Sequence, residues 1–453
     1  MRAPSSYHYL HKQLKSHTKV NGAARKGAHA VNGDWKADVV DRIRDEDVAE
    51  LALLLAGIES PRGGEAECAN AIYDWCVDAG FKTRRVGMFE DRFNVLAELP
   101  GTSGGQSLAF NAHMDTWMHR KDHLIFRDPN REVYHRGWRE GDRLVGNPVG
   151  NDKGPMSAFL IAARAIGEAG VPLEGSLYLH IVVGEIGQEP VDEFQGPEYL
   201  SKDAGARYLL THAPRPSYCI CAEASAFKRG WVEAGKAYFR VTVYGGDALY
   251  VPFFERPYKR SEHPNAIVRA LPLIDRIEEW ALDYERENRY ESAGGVVIPR
   301  VNIGAIRAGD PTMILQSPEV CHLYVDVRTV PGQRSEPIQQ ALTDLLAELG
   351  LEGSVEQFLN RSGHEARGIE PLVGALDEAH LRVFDEECGT ADPPVCSMWR
   401  DHNIYNETGV PALTYGPTGV VRGDRFEMAV PDLGQAARVY ALTALGVCGI
   451  AIG

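Results

Sequence analysis

Four side chains of the types that bind metal ions lie at the ends of predicted strands or just before a predicted helix. His113, Glu185 and Glu223 each follow the last apolar position of a short strand-like segment by one or two residues, and Asp152 precedes a helical pattern. A neutral imidazole and carboxylates are suitable ligands for a divalent ion. Asp115, two residues after His113, can bind the second ring nitrogen and fix the tautomer of the imidazole. These residue types therefore predict a metal site.

The segments that carry these residues have the pattern of an α/β sheet. Apolar strand-like segments alternate in part with helical patterns, at 93–98, 107–111, 155–169, 175–183, 203–211 and 218–222. Such alternation is typical of a sheet with helices on its faces. Because ligands bind at the carboxyl edge of open α/β sheets, we expect the four side chains to converge there.

The pattern changes after residue 229. Alternating strands at 237–244 and 319–327, with helical patterns at 265–284 and 335–348, predict a separate α+β domain inserted into the first. The α/β pattern returns after about residue 362. The predicted fold class is therefore α/β, with four segments along the chain: a basic extension at 1–40, a main domain at 41–229 and 363–453, and an inserted lid at 230–362.

Composition excludes several classes of function. The formal net charge of −15 disfavours nucleic acid or an anionic membrane as a partner. The sequence contains no apolar run of the roughly 20 residues that span a bilayer. The basic extension does not read as a secretory signal, so we expect a cytoplasmic location. We expect it to be a solvated segment that packs on a neighbouring subunit, in preference to one that binds nucleic acid. The eight scattered cysteines predict reduced, buried thiols.

Longer motifs resemble those of one enzyme family. The strand before His113-x-Asp115 is followed in order by Gly-Asn-Asp-Lys-Gly at 150–154, Gly-Glu-Ile-Gly at 184–187, Ala-Glu at 222–223, Pro-Asn-Ala-Ile at 264–267, Asp-Val-Arg-Thr-Val-Pro-Gly at 326–332 and Thr-Gly-Val-Pro at 408–411. Over about residues 45–448, the chain resembles the family of aminoacylase, acetylornithine deacetylase, succinyl-diaminopimelate desuccinylase and carboxypeptidase G. The resemblance implies a metallopeptidase-type catalytic domain with a central mixed sheet, an inserted lid or dimerisation domain, and metal-dependent hydrolysis of a C–N bond.

The resemblance implies two metal positions, of which this sequence keeps one complete. In the family, one ion is bound by the residues that match His113, Asp152 and Glu223. The second is bound by those that match Asp152 and Glu185, together with a His that follows a Gly-Pro turn near the C terminus. Here the segment 415–427 has the turn but no His. We therefore expect one divalent transition metal ion per chain, zinc, manganese or cobalt.

A second departure from the family concerns the general base. The family has a Glu-Glu pair whose first member is the base, whereas this chain has Gly184 followed by Glu185. Because Glu185 is released from the incomplete second metal position, we expect it to act as the base beside a metal-bound hydroxide, with Asp115 orienting His113. The resemblance also implies a cis peptide bond after Asp152.

Three further residues are predicted to bind substrate. Arg328 matches a lid position where related enzymes bind a substrate carboxylate, and its guanidinium suits that task; an interdomain salt bridge is the alternative. His263 could replace a family lid histidine whose place here is taken by Leu249, or it is an ordinary lid residue. Arg400 follows Trp399 in a stretch that the family fills with small residues, and a ring there can stack on a flat ligand or fill the core.

The sequence therefore predicts a metal-dependent amidohydrolase-like enzyme that acts on a small carboxylate-bearing substrate. It is expected to form a homodimer or higher homo-oligomer through the lid, with no nucleic acid or membrane partner. One alternative is hydrolytic deamination of an aromatic amine such as a nitroanthranilate. Another is a non-catalytic binding protein on the same fold, which the buried ligand set disfavours because unpaired buried polar groups are costly.

Overall fold

The computed structural model of the chain describes residues 34–102, 104–187 and 189–451. Most of the basic extension at 1–40 lies outside the described residues. The described chain forms two compact units. The first comprises the residues up to Trp231, Ala366–Ala391 and the residues from Arg400 onward, and the second comprises Val232–Glu365 and Asp392–Trp399. The segment Asp392–Trp399, which the sequence analysis assigns to the main domain, belongs to the second unit.

The helices are numbered in chain order as α1 Trp35–Asp41, α2 Asp45–Ala56, α3 Ala66–Asp78, α4 Gly154–Ala169, α5 Ala206–His212, α6 Ala266–Glu287, α7 Glu336–Glu348, α8 Glu370–Phe384, α9 Pro393–Cys396, α10 His402–Glu407 and α11 Val430–Cys448. Among the described residues, none of these helices has the length and apolar character needed to cross a membrane.

The strands are β1 Lys82–Val86, β2 Asn94–Leu99, β3 Leu108–His113, β4 Trp138–Glu140, β5 Arg143–Val145, β6 Leu177–Val182, β7 Tyr218–Ala222, β8 Val232–Glu233, β9 Gly235–Tyr244, β10 Tyr290–Ser292, β11 Gly295–Val297, β12 Val301–Ala308, β13 Val320–Thr329, β14 Gly353–Arg361, β15 His364–Glu365, β16 Ala412–Tyr415, β17 Val420–Arg422 and β18 Arg425–Ala429.

The first unit is built around a six-stranded mixed sheet. Its strand order is β1-β2-β6-β3-β7-β16, in which β6, β3, β7 and β16 run parallel while β1 and β2 are antiparallel to their neighbours. Every residue of β3 and β6 is buried, which explains why their sequences are mostly apolar. The same unit contains a second sheet, which is antiparallel and has the strand order β17-β18-β5-β4.

Two long helices cover the central strands. Helix α4 is buried along nearly its whole length, has Pro155 in its first turn, and ends at Gly170 in the left-handed conformation with φ 71°. Phe110 of β3 packs against Phe159 of α4 and Tyr440 of α11, with ring centroids 5.7 and 5.2 Å apart. The eight cysteines are buried as free thiols, as the sequence predicts.

The second unit is an antiparallel sheet in the order β12-β13-β9-β14, packed against α6 and α7. Along β13 buried and half-buried residues alternate, so Cys321, Leu323, Val325 and Val327 all point into the core. The predicted fold class is confirmed: the first unit is α/β with a mixed sheet and the second is α+β.

Candidate metal centre

Two of the predicted metal ligands and the predicted general base lie at one edge of the central sheet. His113 ends β3, Glu223 follows the last residue of β7, and Glu185 follows the end of β6 by three residues. Because β3 is parallel to both β6 and β7, the carboxyl ends of these strands meet at the same edge. Asp152 lies in the irregular turn Val149–Lys153 that leads into α4.

His113, Asp152 and Glu223 form a compact set of potential ligands. One ligand atom from each residue lies within 4.8 Å of the other two. The Nε2 atom of His113 and both carboxylate oxygens of Asp152 are buried without a hydrogen-bond partner among the described residues. Buried polar atoms without partners are costly unless a ligand satisfies them. The donor set of one imidazole and two carboxylates therefore fits a divalent transition metal ion.

Asp115 fixes the ring of His113 mainly through its main chain. The Nδ1 atom of His113 lies 2.8 Å from the Asp115 carbonyl oxygen, whereas the nearer carboxylate oxygen is 3.6 Å away. The Asp115 carboxylate accepts hydrogen bonds from the amides of Glu185 and Ile186, at 3.0 and 2.9 Å. A ring that donates from Nδ1 presents an unprotonated Nε2 for an ion. Asp115 thus orients His113 and also anchors the segment that carries Glu185.

Burial and neighbouring charges shift the pKa values of the two acids and the imidazole of this centre. Burial, followed by the charge of Glu223, raises the pKa of Asp152 well above its ordinary value. Burial also raises the pKa of Glu223 and outweighs the opposite effect of the Arg400 charge. Burial lowers the pKa of His113, but the acids around it outweigh this and place that pKa well above its ordinary value. Clusters of groups with shifted pKa values are typical of functional sites.

The peptide bond between Asn151 and Asp152 is cis. The resemblance implies a cis bond after Asp152, so the predicted position is wrong by one residue. The bond lies within the irregular turn that presents the Asp152 carboxylate to the centre.

Gly184 leaves no room for the side chain that the family has at this position. Its φ is +63°, and a Cβ atom would lie 2.7 Å from both the Arg92 Nη2 atom and the Ser201 carbonyl oxygen. Arg92 is buried and cannot easily move away, because it donates to the Glu65 carboxylate at 3.0 Å and to the carbonyl oxygens of Pro197 and Leu200. An acid at position 184 would therefore collide with a fixed guanidinium and with the main chain.

Glu185 lies between the centre and a buried ammonium group. Its Oε2 atom is 3.9 Å from His113 Nε2, and its Oε1 atom accepts a hydrogen bond from Lys202. The Lys202 Nζ atom also donates to Asp401 Oδ1 at 3.2 Å. Burial lowers the pKa of Lys202, but the charges of Asp401 and Glu185 outweigh it and raise that pKa.

Sequence reasoning missed both Lys202 and Asp401. Asp401 follows Arg400 in a stretch that already departs from the family pattern, and this departure is the only, weak indication in the sequence that Asp401 belongs to the site. Lys202 lies in the loop between β6 and α5, where no periodicity distinguishes it from a surface lysine.

The three predicted substrate residues have different surroundings. Arg400 is buried in the first unit, and its charge acts on the Glu223 carboxylate. Arg328 lies on β13 in the second unit, where Nε and Nη2 both bind the Asp326 carboxylate, at 3.2 and 2.9 Å. His263 is buried just before α6, where its Nδ1 accepts a hydrogen bond from the amide of Asn265 at 3.1 Å.

The chain is similar in sequence to known proteins. Residues 258–354 match the peptidase dimerisation domain. Acetylornithine deacetylase of Aliivibrio fischeri is 26% identical over 295 residues, which cover 63% of this chain and 67% of that protein.

Two solved structures share the fold. The aminopeptidase of Bacillus cereus superimposes with a TM-score of 0.63 at 15% identity, covering 90% of this chain and 100% of that one. A dinuclear metal-binding peptidase of Bacillus subtilis gives a TM-score of 0.58 at 15% identity, covering 89% of this chain and 98% of that one. At such low identity these two likenesses concern the fold alone.

Proposed function

We propose that the chain, as a member of the aminoacylase, acetylornithine deacetylase and carboxypeptidase G family of metallopeptidases, hydrolyses a C–N bond in a small carboxylate-bearing substrate. The observation that carries the proposal is that ligand atoms of His113, Asp152 and Glu223 lie within 4.8 Å of one another at the sheet edge. Membership of the family makes it a metal-dependent hydrolase, and the substrate class is our inference.

The proposed metal is one zinc, manganese or cobalt ion per chain, held by His113, Asp152 and Glu223. Such an ion supplies Lewis-acid activation of water and polarises a substrate carbonyl. Arg400 supports this site, because its charge favours the ionised, ligating form of Glu223. The Asp115 carbonyl oxygen keeps the proton of His113 on Nδ1 and leaves Nε2 for the ion.

Glu185 is the proposed general base. Its Oε1 atom is held by Lys202, whereas its Oε2 atom faces the centre at 3.9 Å from His113 Nε2. In the proposed reaction, Oε2 takes a proton from the attacking water and then gives it to the leaving nitrogen, so that the acid and base steps balance. Gly184 cannot take this role, because it has no side chain and no space for one.

Arg328 is the proposed anchor for the substrate carboxylate. Its bonds to Asp326 use Nε and Nη2, and its side chain remains 27% exposed. Since the chain as a whole has a net charge of −15, an acidic substrate requires a local cation of this kind. His263 remains a weaker candidate, because its Nδ1 is already used at the start of α6.

The proposal includes a homodimer formed through the second unit and a cytoplasmic location. The match of residues 258–354 to a dimerisation domain supports the first, and the eight buried free thiols support a reducing compartment. The alternative of aromatic amine deamination gains no support from the relatives named above. The alternative of a non-catalytic binding protein differs from ours in predicting no turnover at all.

The test is a substrate screen of the full-length protein. After removal of metal, the chain is reconstituted with zinc, manganese or cobalt and assayed against N-acyl amino acids, dipeptides and aminobenzoates. We expect turnover of an N-acyl amino acid or a dipeptide that chelator abolishes and added metal restores. Release of ammonia from an aminobenzoate would favour the deaminase instead, and no turnover of any class with metal bound would favour the binding protein.

A further inference from the structure

The buried ammonium of Lys202 has an unusual environment. Its side chain is only 1% exposed, and it is shared by two carboxylates whose side chains are 10% and 3% exposed, those of Glu185 and Asp401. A buried lysine is costly unless opposite charges surround it. The charges of Glu185 and Asp401 therefore stabilise the buried ammonium of Lys202, and the ammonium in turn stabilises the ionised form of both carboxylates.

Lys202 lies next to the metal centre and is joined to it by Glu185. One carboxylate oxygen of Glu185 binds Lys202, and the other is 3.9 Å from His113 Nε2. In the family pattern, the residue at Glu185 is a ligand of the second metal ion. Here one of the two oxygens of that carboxylate is already bound to an ammonium group.

Charge counting leads to the same conclusion. One divalent ion and two side-chain cations would offset the acids of the centre: the acids are Asp152, Glu185, Glu223 and Asp401, and the cations are Lys202 and Arg400. The carboxylate of Asp115 is held separately by two main-chain amides. A second divalent ion would leave an excess of two positive charges with Lys202 present and of only one without it, and unbalanced charge away from water is costly.

We propose that the Lys202 ammonium takes the place of a second metal ion, keeps the centre at one ion, and holds Glu185 with its Oε2 atom toward the reacting water. Lys202 is thus a positioning residue. This inference rests on the proposed ion at His113, Asp152 and Glu223. It differs from a purely structural role for Lys202 because it predicts the number of ions that the protein binds.

The experiment measures bound manganese in the metal-stripped, full-length protein by equilibrium dialysis and elemental analysis. The wild type is expected to bind one ion per chain and Lys202→Met two, because the neutral side chain leaves Glu185 and Asp401 for a second ion. Electron paramagnetic resonance provides a second readout. An isolated manganese signal is expected in the wild type, and a spin-coupled signal from two neighbouring ions in Lys202→Met.

Two control variants separate charge from packing. Lys202→Arg keeps the cation and should bind one ion. The double variant Lys202→Met/Asp401→Asn removes one charge of each sign, and so it should also return to one ion with the isolated signal. Circular dichroism verifies the fold of each variant.

The outcomes distinguish this inference from the proposed function. A wild type that binds no manganese overturns the metal centre, and the inference with it. A wild type with one ion and a folded Lys202→Met that also keeps one leaves the metal centre intact and overturns the role of Lys202. If Lys202→Met does not fold, saturation of the wild type still decides, because a second ion bound there contradicts the inference.

Discussion

At the scale of single residues, the centre combines a compact ligand set with an unusually held acid. His113, Asp152 and Glu223 are the proposed metal ligands, while Glu185 lies just outside this set and is bound by Lys202. The roles that we propose for ligands and base follow from this difference in position.

Replacement of Glu185 by Gln tests that division. The amide would keep the size of the side chain but could not accept the proton of water, so we expect turnover to fall by about 10²–10⁴-fold. Bound metal should change little, because Glu185 is not among the three ligands. His113→Ala is the matched control and should lose metal and activity together. Loss of metal from Glu185→Gln as complete as from His113→Ala would place Glu185 in the ligand set.

The pKa shifts at the centre predict how metal-free protein responds to pH. The pKa values of His113, Asp152 and Glu223 are all raised in the folded chain, so the native state binds more protons than the unfolded state. Stability of the metal-free protein should therefore fall as pH rises from about 5 to about 8, because stability decreases with pH wherever the native state holds the extra protons.

Thermal unfolding with chelator and with metal measures this effect. Bound metal replaces the protons, so the melting temperature of the loaded protein should depend less on pH over that range and exceed that of the stripped protein most at the upper end. A stripped protein that gains stability as pH rises would contradict the assignment of these three groups.

At the scale of elements, the sequence predicts the strands well and the loops poorly. Strands β3 and β7 are buried on both faces, so a mostly apolar segment followed by His113 or Glu223 predicts both the strand and the candidate ligand at its end. Lys202 and Asp401 come from segments about 200 residues apart that have no periodic pattern. Their meeting depends on tertiary structure, which a single sequence does not reveal.

Gly184 illustrates a position whose meaning only the structure gives. The sequence shows that the family base is missing, and the structure explains this by the Arg92 side chain and the Ser201 carbonyl oxygen, each of which would lie 2.7 Å from a Cβ atom at this position. Gly184 and Lys202 both lie in the segment between β6 and α5.

Alanine substitutions at two glycines test this explanation. Gly170→Ala is the control, because Gly170 has φ +71° and no atom within 4 Å of an added Cβ; it should cost about 1 kcal/mol of unfolding free energy. Gly184→Ala has a similar φ but adds the collision, so it should cost about 3 kcal/mol. Chemical denaturation measures both, and equal losses would show that Arg92 and Ser201 yield without cost.

At the scale of the whole molecule, the second unit offers an edge for self-association. Strand β12 is an edge strand of its sheet, and Ile306 on it is 53% exposed. Edge strands with exposed apolar residues are suited to pairing with another chain. The match to a dimerisation domain includes all of β12.

We predict a homodimer that depends on this edge. Ile306→Lys should shift the protein toward the monomer, because it places a charge where a second copy would pack. Val77→Lys, at a 47% exposed apolar residue of α3 in the first unit, should leave the dimer intact. Sedimentation velocity of the full-length protein measures both. A monomeric wild type, or two variants that dissociate equally, would contradict the placement of the interface.

We propose that the hydrolytic centre contains one ion, held by His113, Asp152 and Glu223. Anomalous diffraction from crystals of the manganese- or zinc-loaded protein locates the bound metal. We predict one anomalous peak per active site, about 2.0–2.2 Å from His113 Nε2 and from a carboxylate oxygen of each acid. Two peaks that share Asp152, or a single peak away from these three residues, would contradict a one-ion centre at this position.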